Sequence, residues 1–284
     1  MNGRVGQYLE FGWFAWYKAD AGYSWIDNRE GIHEVIFEDD TFFAPEKKTN
    51  PFLTESPETM HYVAYNPLKH TTLFLEFAEL ELTKDSILSF VNRYGPLVTQ
   101  GDASISSPAT TLGETFDFWV EEILAMKQIV QLWHAYEKRD SGAVAEFVRW
   151  QSDLVYYSFA NKQNHVLTIN PDTLASFKFG DVLFPALHLI QDITNEYLSK
   201  YRTLPRLLFN EKNELGQYLV PENLLAGLWL QFYQAISGER LFKRCAICGL
   251  WADVTEKRPT WTRHPECANR NRVQSHRKKQ DQLT

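Results

Sequence analysis

Several features that mark membrane, secreted or disulfide-rich proteins are missing from this sequence of 284 residues. No uninterrupted apolar run reaches the length of about 20 residues that a membrane-spanning helix needs. The first residues do not lead into the apolar core of a secretory signal. With three cysteines, all of them plausible metal ligands, the chain has no basis for a disulfide framework. These absences predict a cytoplasmic protein.

The short motifs of several large enzyme classes are also missing. The chain has no phosphate-binding G-x-x-x-x-G-K-[ST] loop, no G-x-G-x-x-G, no G-x-S-x-G and no H-E-x-x-H. One acidic group on a predicted helix consists of Glu114, Asp117, Glu121 and Glu122. Acids are favoured in the first turns of solvated helices, so this group does not by itself indicate catalysis. A non-enzymatic role is favoured, but carboxylates from distant segments can still assemble a metal-dependent active site.

The three cysteines all lie in one 23-residue stretch near the C-terminus. Cys245-Ala-Ile-Cys248 is followed, after fifteen residues, by His264-Pro-Glu-Cys267. Two ligand pairs of equal spacing supply the four nitrogen and sulfur atoms that Zn²⁺ prefers in tetrahedral geometry. The sequence therefore predicts a Zn²⁺ site formed by Cys245, Cys248, His264 and Cys267. His276 is a competing imidazole for the histidine position.

The predicted zinc is structural, because four protein ligands leave no coordination position for a catalytic water. Gly249 suits a tight knuckle after the second cysteine, since glycine accepts positive φ. Pro265 suits the first turn of a helix, which we expect to run to about Gln280 with Cys267 in that first turn. Folding of this segment should then depend on the metal.

Charge is distributed unevenly along the chain. Residues 240–284 contain eleven Lys and Arg against four Asp and Glu, whereas the other 239 residues contain 18 against 32. This asymmetry favours an anionic partner for the basic end, although neutralisation of the acidic body, within the chain or in a homodimer, is an alternative. We predict that this end contacts nucleic acid, DNA or RNA, through Arg263, Asn269, Arg270, Arg272, Arg277, Lys278 and Lys279.

The remaining pattern predicts a mainly α fold with a small β-rich N-terminal part. Residues 1–70 are expected to be rich in strands and loops, and residues 71–239 to form a multi-helix body. Residues 240–284 are expected to form a zinc-knuckle or treble-clef-like finger with a basic C-terminal helix. The predicted body elements are helices at 72–82, from 83 to 94, at 114–138, 143–159, 182–201 and 224–236, and a hairpin at 206–219.

The finger resembles the C-terminal segments of the CGNR zinc-finger group, which end in a Cys-Gly-Asn-Arg-like string followed by a basic helix. The corresponding string is Cys267-Ala268-Asn269-Arg270, with further basic residues after it. The C-x2-C spacing is narrower than in that group, and His264 stands where a cysteine is typical. This resemblance implies DNA binding in transcriptional control.

A larger part of the chain, most of residues 60–280, is similar to an uncharacterised bacterial family that carries such a finger. The similarity implies a bacterial origin, a helical body and zinc, and it implies no activity. It rests on the strings Tyr65-Asn66-Pro67-Leu68, Leu73-Phe74-Leu75-Glu76-Phe77-Ala78, Phe90-Val91-Asn92-Arg93-Tyr94-Gly95-Pro96-Leu97 and Leu228-Trp229-Leu230-Gln231-Phe232.

The leading hypothesis is a cytoplasmic bacterial regulator whose body senses a ligand or dimerises and whose finger binds DNA. Two alternatives from other classes stay open at this point. One is a zinc-stabilised protein-interaction module, in which the acidic body binds a basic partner. The other is a metal-dependent enzyme with its site in the helical body.

Overall fold

The computed structural model describes residues 14–26, 51–56, 61–98, 114–160, 162–167, 178–209, 213–238, 240–257 and 261–269. The helices of this part, besides a 3₁₀ turn at Pro67–Lys69 and a helical segment at 265–269, are α1 Leu73–Ala78, α2 Lys84–Tyr94, α3 Phe116–Glu137, α4 Ser141–Ala145, α5 Leu183–Lys200 and α6 Leu224–Ile236. The strands are β1 Trp16–Ala19, β2 Tyr23–Ile26, β3 Phe52–Glu55, β4 Tyr62–Tyr65, β5 Val148–Gln151, β6 Leu154–Phe159, β7 Lys162–Val166, β8 Thr203–Phe209, β9 Leu215–Pro221, β10 Phe242–Arg244 and β11 Trp251–Asp253.

The described strands form small antiparallel sheets. Strand β1 pairs with β4, β2 with β3, β8 with β9 and β10 with β11, while β5, β6 and β7 form one three-stranded meander. The β1 and β2 segments pack against α2. Gly95, the residue just after α2, has φ +81°, and a Cβ there would lie 2.9 Å from the carbonyl oxygen of Tyr17. Glycine is therefore required at this close approach.

The long helices begin where side chains satisfy their free N–H groups. Thr83 caps α2 through the N–H of Ser86, and Thr115 caps α3 in the same way. Asn223 caps α6, whose residues are buried along nearly its whole length. A helix that is apolar on all sides belongs in the protein interior. Helices α3, α5 and α6 accordingly pack together around a core that includes the fully buried Trp119 and Trp229.

The prediction of a mainly α fold is wrong. Helix accounts for 43% of the described residues and strand for 26%, the latter in several small antiparallel sheets. The largest error is the helix predicted at 143–159, where only the short helix α4 forms and β5 and β6 follow as a hairpin. Ser152 turns this hairpin with φ +55°. Aromatic and β-branched residues dominate both strands, and such residues favour a pleated, half-buried surface.

Other element predictions are confirmed. Helix α6 has the predicted bounds, Leu224–Ile236. Helix α2 begins after Thr83 and ends before Gly95. The hairpin predicted at 206–219 is present as β8 and β9, with longer strands than expected. In the part of the chain that the structure describes, no helix combines the length and the apolar character that crossing a membrane requires.

Candidate metal centre

The first half of the site is a tight turn between β10 and β11. The N–H of Gly249 donates to the carbonyl oxygen of Cys245 at 2.9 Å, and the N–H of Cys245 donates to Leu250 at 2.9 Å. Gly249 has φ +73°, the left-handed conformation that glycine adopts without strain. The knuckle predicted from the C-x2-C-G sequence is therefore present, and it holds Cys245 and Cys248 at one end of the β10–β11 hairpin.

The second half of the site is the segment 261–269. The N–H of Ala246 in the knuckle donates to the carbonyl oxygen of Thr262 at 2.8 Å, which joins the two halves. A helix begins at Pro265, and Cys267 lies in its first turn. The N–H of Ala268 donates to the carbonyl oxygen of His264 at 2.9 Å. The described chain ends at Asn269, so the rest of the helix predicted to Gln280 lies outside the described residues.

The structure brings together the three thiol sulfurs and one ring nitrogen of the predicted ligand set. These four atoms, from Cys245, Cys248, His264 and Cys267, all lie within 4.8 Å of one another. The Sγ atom of Cys248 is 3.4 Å from Nδ1 of His264. Ligands 2.3 Å from a tetrahedral metal are separated by about 3.8 Å, so the cluster can hold a metal ion. Among the described residues, it is the one group of three or more Cys, His, Asp and Glu side chains placed to do so.

The electrostatics of the site favour thiolate at Cys245. Burial raises the pKa of this thiol, but the backbone N–H groups of Cys248, Ile247 and His264 outweigh burial and lower the pKa to about 5. The pKa of Cys267 is raised to about 11 by its hydrogen bond with Cys248, by burial and by the charge of Cys245. Thiolates this close repel one another, which opposes ionisation of all three thiols. A divalent cation bound between them would offset that repulsion.

The finger docks on the body through residues that the sequence prediction missed. Glu79, just after α1, accepts a hydrogen bond from Nε1 of Trp251 at 2.7 Å and forms an ion pair with Arg244. The Arg244 guanidinium lies 4.5 Å from the centre of the Trp251 ring. On the body, the ring of His134 in α3 stacks on Trp251 with centroids 5.5 Å apart. Because Glu79 and His134 lie more than a hundred residues before the finger, no local spacing could have identified them.

A second ion pair stabilises the finger from within. Arg240 and Asp253 are both mostly buried, and Nη1 of Arg240 donates to the Asp253 carboxylate at 2.6 Å. Burial alone would raise the pKa of Asp253, but hydrogen bonds from Thr255 and the charge of Arg240 outweigh burial and lower it. The pair closes the open end of the β10–β11 hairpin, opposite the knuckle.

The structure describes two of the predicted nucleic-acid contacts. Arg263, next to His264, is exposed, and so is Asn269 in the helical segment 265–269. Trp261 is half-buried between the ring of His264, at a centroid distance of 5.4 Å, and the ammonium of Lys257. The other predicted contacts, and the competing His276, lie outside the described residues: Arg270, Arg272, Arg277, Lys278 and Lys279.

Comparisons with known proteins identify no relative of this chain. No protein-family model matches the chain, and neither the curated proteins nor the solved structures give a match. The similarity of the finger to the CGNR group therefore stays a prediction. Function has to be inferred from the site itself.

Proposed function

We propose that this chain is a DNA-binding regulator in which a structural zinc ion fixes the start of a basic C-terminal segment. The observation that carries this proposal is the convergence of four ligand atoms within 4.8 Å at the junction of a knuckle and a helix. The basic residues of the chain's C-terminal end follow directly after that helical turn. Metal binding and presentation of cationic side chains are thereby combined in one small module.

Zinc is the metal that fits this donor set. Three thiolates and one imidazole form the closed tetrahedral shell of structural zinc sites, and harder ions such as Mg²⁺ and Ca²⁺ prefer oxygen ligands. A closed shell leaves no position for a reacting water. The ion therefore acts by holding the knuckle against the helix, which so short a segment cannot do with a hydrophobic core of its own.

Nucleic acid is the partner that fits the charge distribution. Exposed Arg263 lies beside the metal ligands, and five further cations follow between residues 270 and 279. Such a cluster contacts phosphate, while exposed amides such as that of Asn269 can reach base edges. The acidic remainder of the chain repels nucleic acid, which restricts contact to the finger.

The test is fluorescence anisotropy of a labelled DNA duplex, titrated with zinc-quantified full-length protein at several salt concentrations. We expect affinity to fall linearly with salt on a double logarithmic scale, with a slope that reports the number of phosphate contacts. Protein whose zinc has been removed by a chelator should bind far more weakly. Salt-independent affinity, or equal binding with and without zinc, would contradict the proposal. Capture of one protein at fixed stoichiometry, insensitive to nuclease, would instead favour an interaction module.

A further inference from the structure

A cleft with a volume of about 440 Å³ lies on the body, between helices α3 and α5 and the β6–β7 hairpin. Cavities of this size are typical of sites for small organic ligands. Its polar lining includes three carboxylates and two ammonium groups, and its walls include the rings of Tyr157 and Tyr197. None of these residues belongs to the candidate metal centre, and only Glu121 and Glu122 were noted in the sequence, as members of an acidic helical group.

Glu122 is the buried polar group of this cleft. Only 3% of its surface is exposed. Its Oε1 atom accepts hydrogen bonds from the Tyr201 hydroxyl and from the Lys200 ammonium, the latter at 3.1 Å. Its Oε2 atom is buried and has no hydrogen-bond partner among the described residues. Oε1 is therefore the atom of this carboxylate that an ammonium lining the cleft already reaches.

The charges around Glu122 favour a cation. Lys162 pairs with Glu196 at 3.2 Å, and Lys200 pairs with Glu122. The third carboxylate, Glu121, has no ion-pair partner in the described part of the chain. The formal charge of the lining is thus negative. The pKa of Tyr197 is raised, mainly by burial and in addition by the negative charges of the three carboxylates, which agrees with a negatively charged lining.

The aromatic lining suits a cation as well. The Tyr197 ring stacks on Trp229, with centroids 4.1 Å apart. The chain itself places an ammonium over this surface, because Nζ of Lys200 lies 5.1 Å from the Tyr197 ring centre. Ring faces attract cations most strongly where water is partly excluded. Lys200 is half exposed, so it can turn toward solvent when another ammonium takes its place.

We propose that this cleft binds a small aliphatic amine in its protonated form, held by the Glu122 carboxylate and the face of Tyr197. The amine takes the place of the Lys200 ammonium and donates N–H to Oε1 of Glu122, and its charge is balanced by Glu121 at the exposed edge of the cleft. Its alkyl part lies along the apolar lining contributed by Phe159 and Ile193. This proposal is independent of the metal and nucleic-acid functions of the finger.

The test is isothermal titration calorimetry of the zinc-loaded full-length protein with spermidine, and separately with glutarate as a dianion of similar size. We expect saturable binding of one spermidine per chain and no binding of glutarate. Glu122→Gln keeps the shape of the side chain but removes its charge, and should weaken spermidine binding by about tenfold or more, as expected for a lost charge-assisted hydrogen bond.

Two exposed glutamates provide a matched pair of variants for the case in which Glu122→Gln does not fold. Glu121→Gln removes a charge from the cleft, and Glu146→Gln removes the same charge from an exposed position that does not line it. Spermidine affinity should fall severalfold in the first variant and stay unchanged in the second. Equal losses in the two variants would show diffuse attraction to an acidic surface and overturn the proposal. Absence of saturable spermidine binding, or binding of glutarate instead, would overturn it too.

Discussion

The carboxylate of Glu79 accepts a hydrogen bond at 2.7 Å from the indole nitrogen of Trp251. This contact joins the end of helix α1 to the second strand of the finger, across 172 positions of sequence. Arg244 extends it by pairing with the same carboxylate while lying over the Trp251 ring. A specific polar contact therefore holds the finger, and with it the candidate metal centre, against the body.

Removing this contact should loosen the finger without unfolding the body. Glu79→Ala leaves both Arg244 and Trp251 without their shared acceptor. Because Glu79 and Arg244 are each about half exposed, we expect a loss of about 1 kcal/mol in the free energy of unfolding. Limited proteolysis should cut the finger segment faster in the variant, and urea denaturation measures the loss.

Glu81→Ala is the matched control, since Glu81 is an exposed acid two positions further along the chain. It should leave both the free energy of unfolding and the proteolysis rate close to those of the wild type. If the two variants behave alike, the Glu79–Trp251 contact does not hold the finger.

Replacing the histidine ligand should remove tight metal binding. His264→Ala deletes one of four ligands, and we expect zinc affinity to fall by more than about a hundredfold, since loss of an outer-shell partner alone costs up to that factor. A competition assay with a chromogenic zinc chelator measures the affinity. His276→Ala and His61→Ala should retain wild-type affinity. The opposite result, with zinc lost in His276→Ala and kept in His264→Ala, would reassign the fourth ligand.

The buried Glu122 should make stability fall with rising pH. Burial, opposed by Tyr201 and Lys200, raises the pKa of this carboxyl above its ordinary value of 4.5. The folded state then holds the proton more firmly than the unfolded state, so the free energy of unfolding decreases as pH rises from 4.5 through the raised pKa. Glu122→Gln cannot ionise, and its stability relative to the wild type should increase over this window.

Denaturation curves at a series of pH values measure that difference. Glu146→Gln is the control, because it makes the same chemical change at an exposed position, where substitution should leave the free energy of unfolding close to that of the wild type. A Glu122→Gln difference that is flat with pH would mean that the wild-type carboxyl ionises at its ordinary value.

The basic segment should account for the salt dependence of DNA binding. The test variant replaces three arginines with alanine, at Arg270, Arg272 and Arg277, and so removes up to three phosphate contacts. The slope of log affinity against log salt should then become shallower by about 3. The control removes the same charge from exposed positions of the body, at Lys127, Lys138 and Lys178. Its salt slope should equal that of the wild type. An unchanged slope in the arginine variant would place the nucleic-acid contact elsewhere or exclude it.

The four residues that cluster in the candidate metal centre could be predicted from sequence because their geometry is local. A C-x2-C-G turn fixes two sulfurs within five residues, and a proline that opens a helix fixes the second pair. The structure needs only one backbone contact, between Ala246 and Thr262, to bring the two pairs together. The residues of the body on which the finger docks, Glu79 and His134, could not be predicted.

The fold class could not be predicted because strand pairing is decided by tertiary contacts. Residues 148–159 carry apolar side chains at intervals that also fit a helix. The strand conformation is decided by pairing with β7 and by the packing of Val148 and Val155 into the core. The cleft could not be predicted either, for a related reason. Glu122 and Lys200 are 78 positions apart, and no spacing rule connects residues that meet through packing of two helices.

The coordination of the metal can be measured directly by X-ray absorption spectroscopy at the zinc edge on purified full-length protein of known metal content. We expect one zinc per chain, with three sulfur neighbours at about 2.3 Å and one nitrogen neighbour at about 2.0 Å. That shell matches Cys245, Cys248, Cys267 and His264, the four residues whose ligand atoms lie within 4.8 Å of one another. A chain without zinc, or a zinc bound mainly by oxygen, would contradict the structural zinc site on which the proposed DNA-binding function rests.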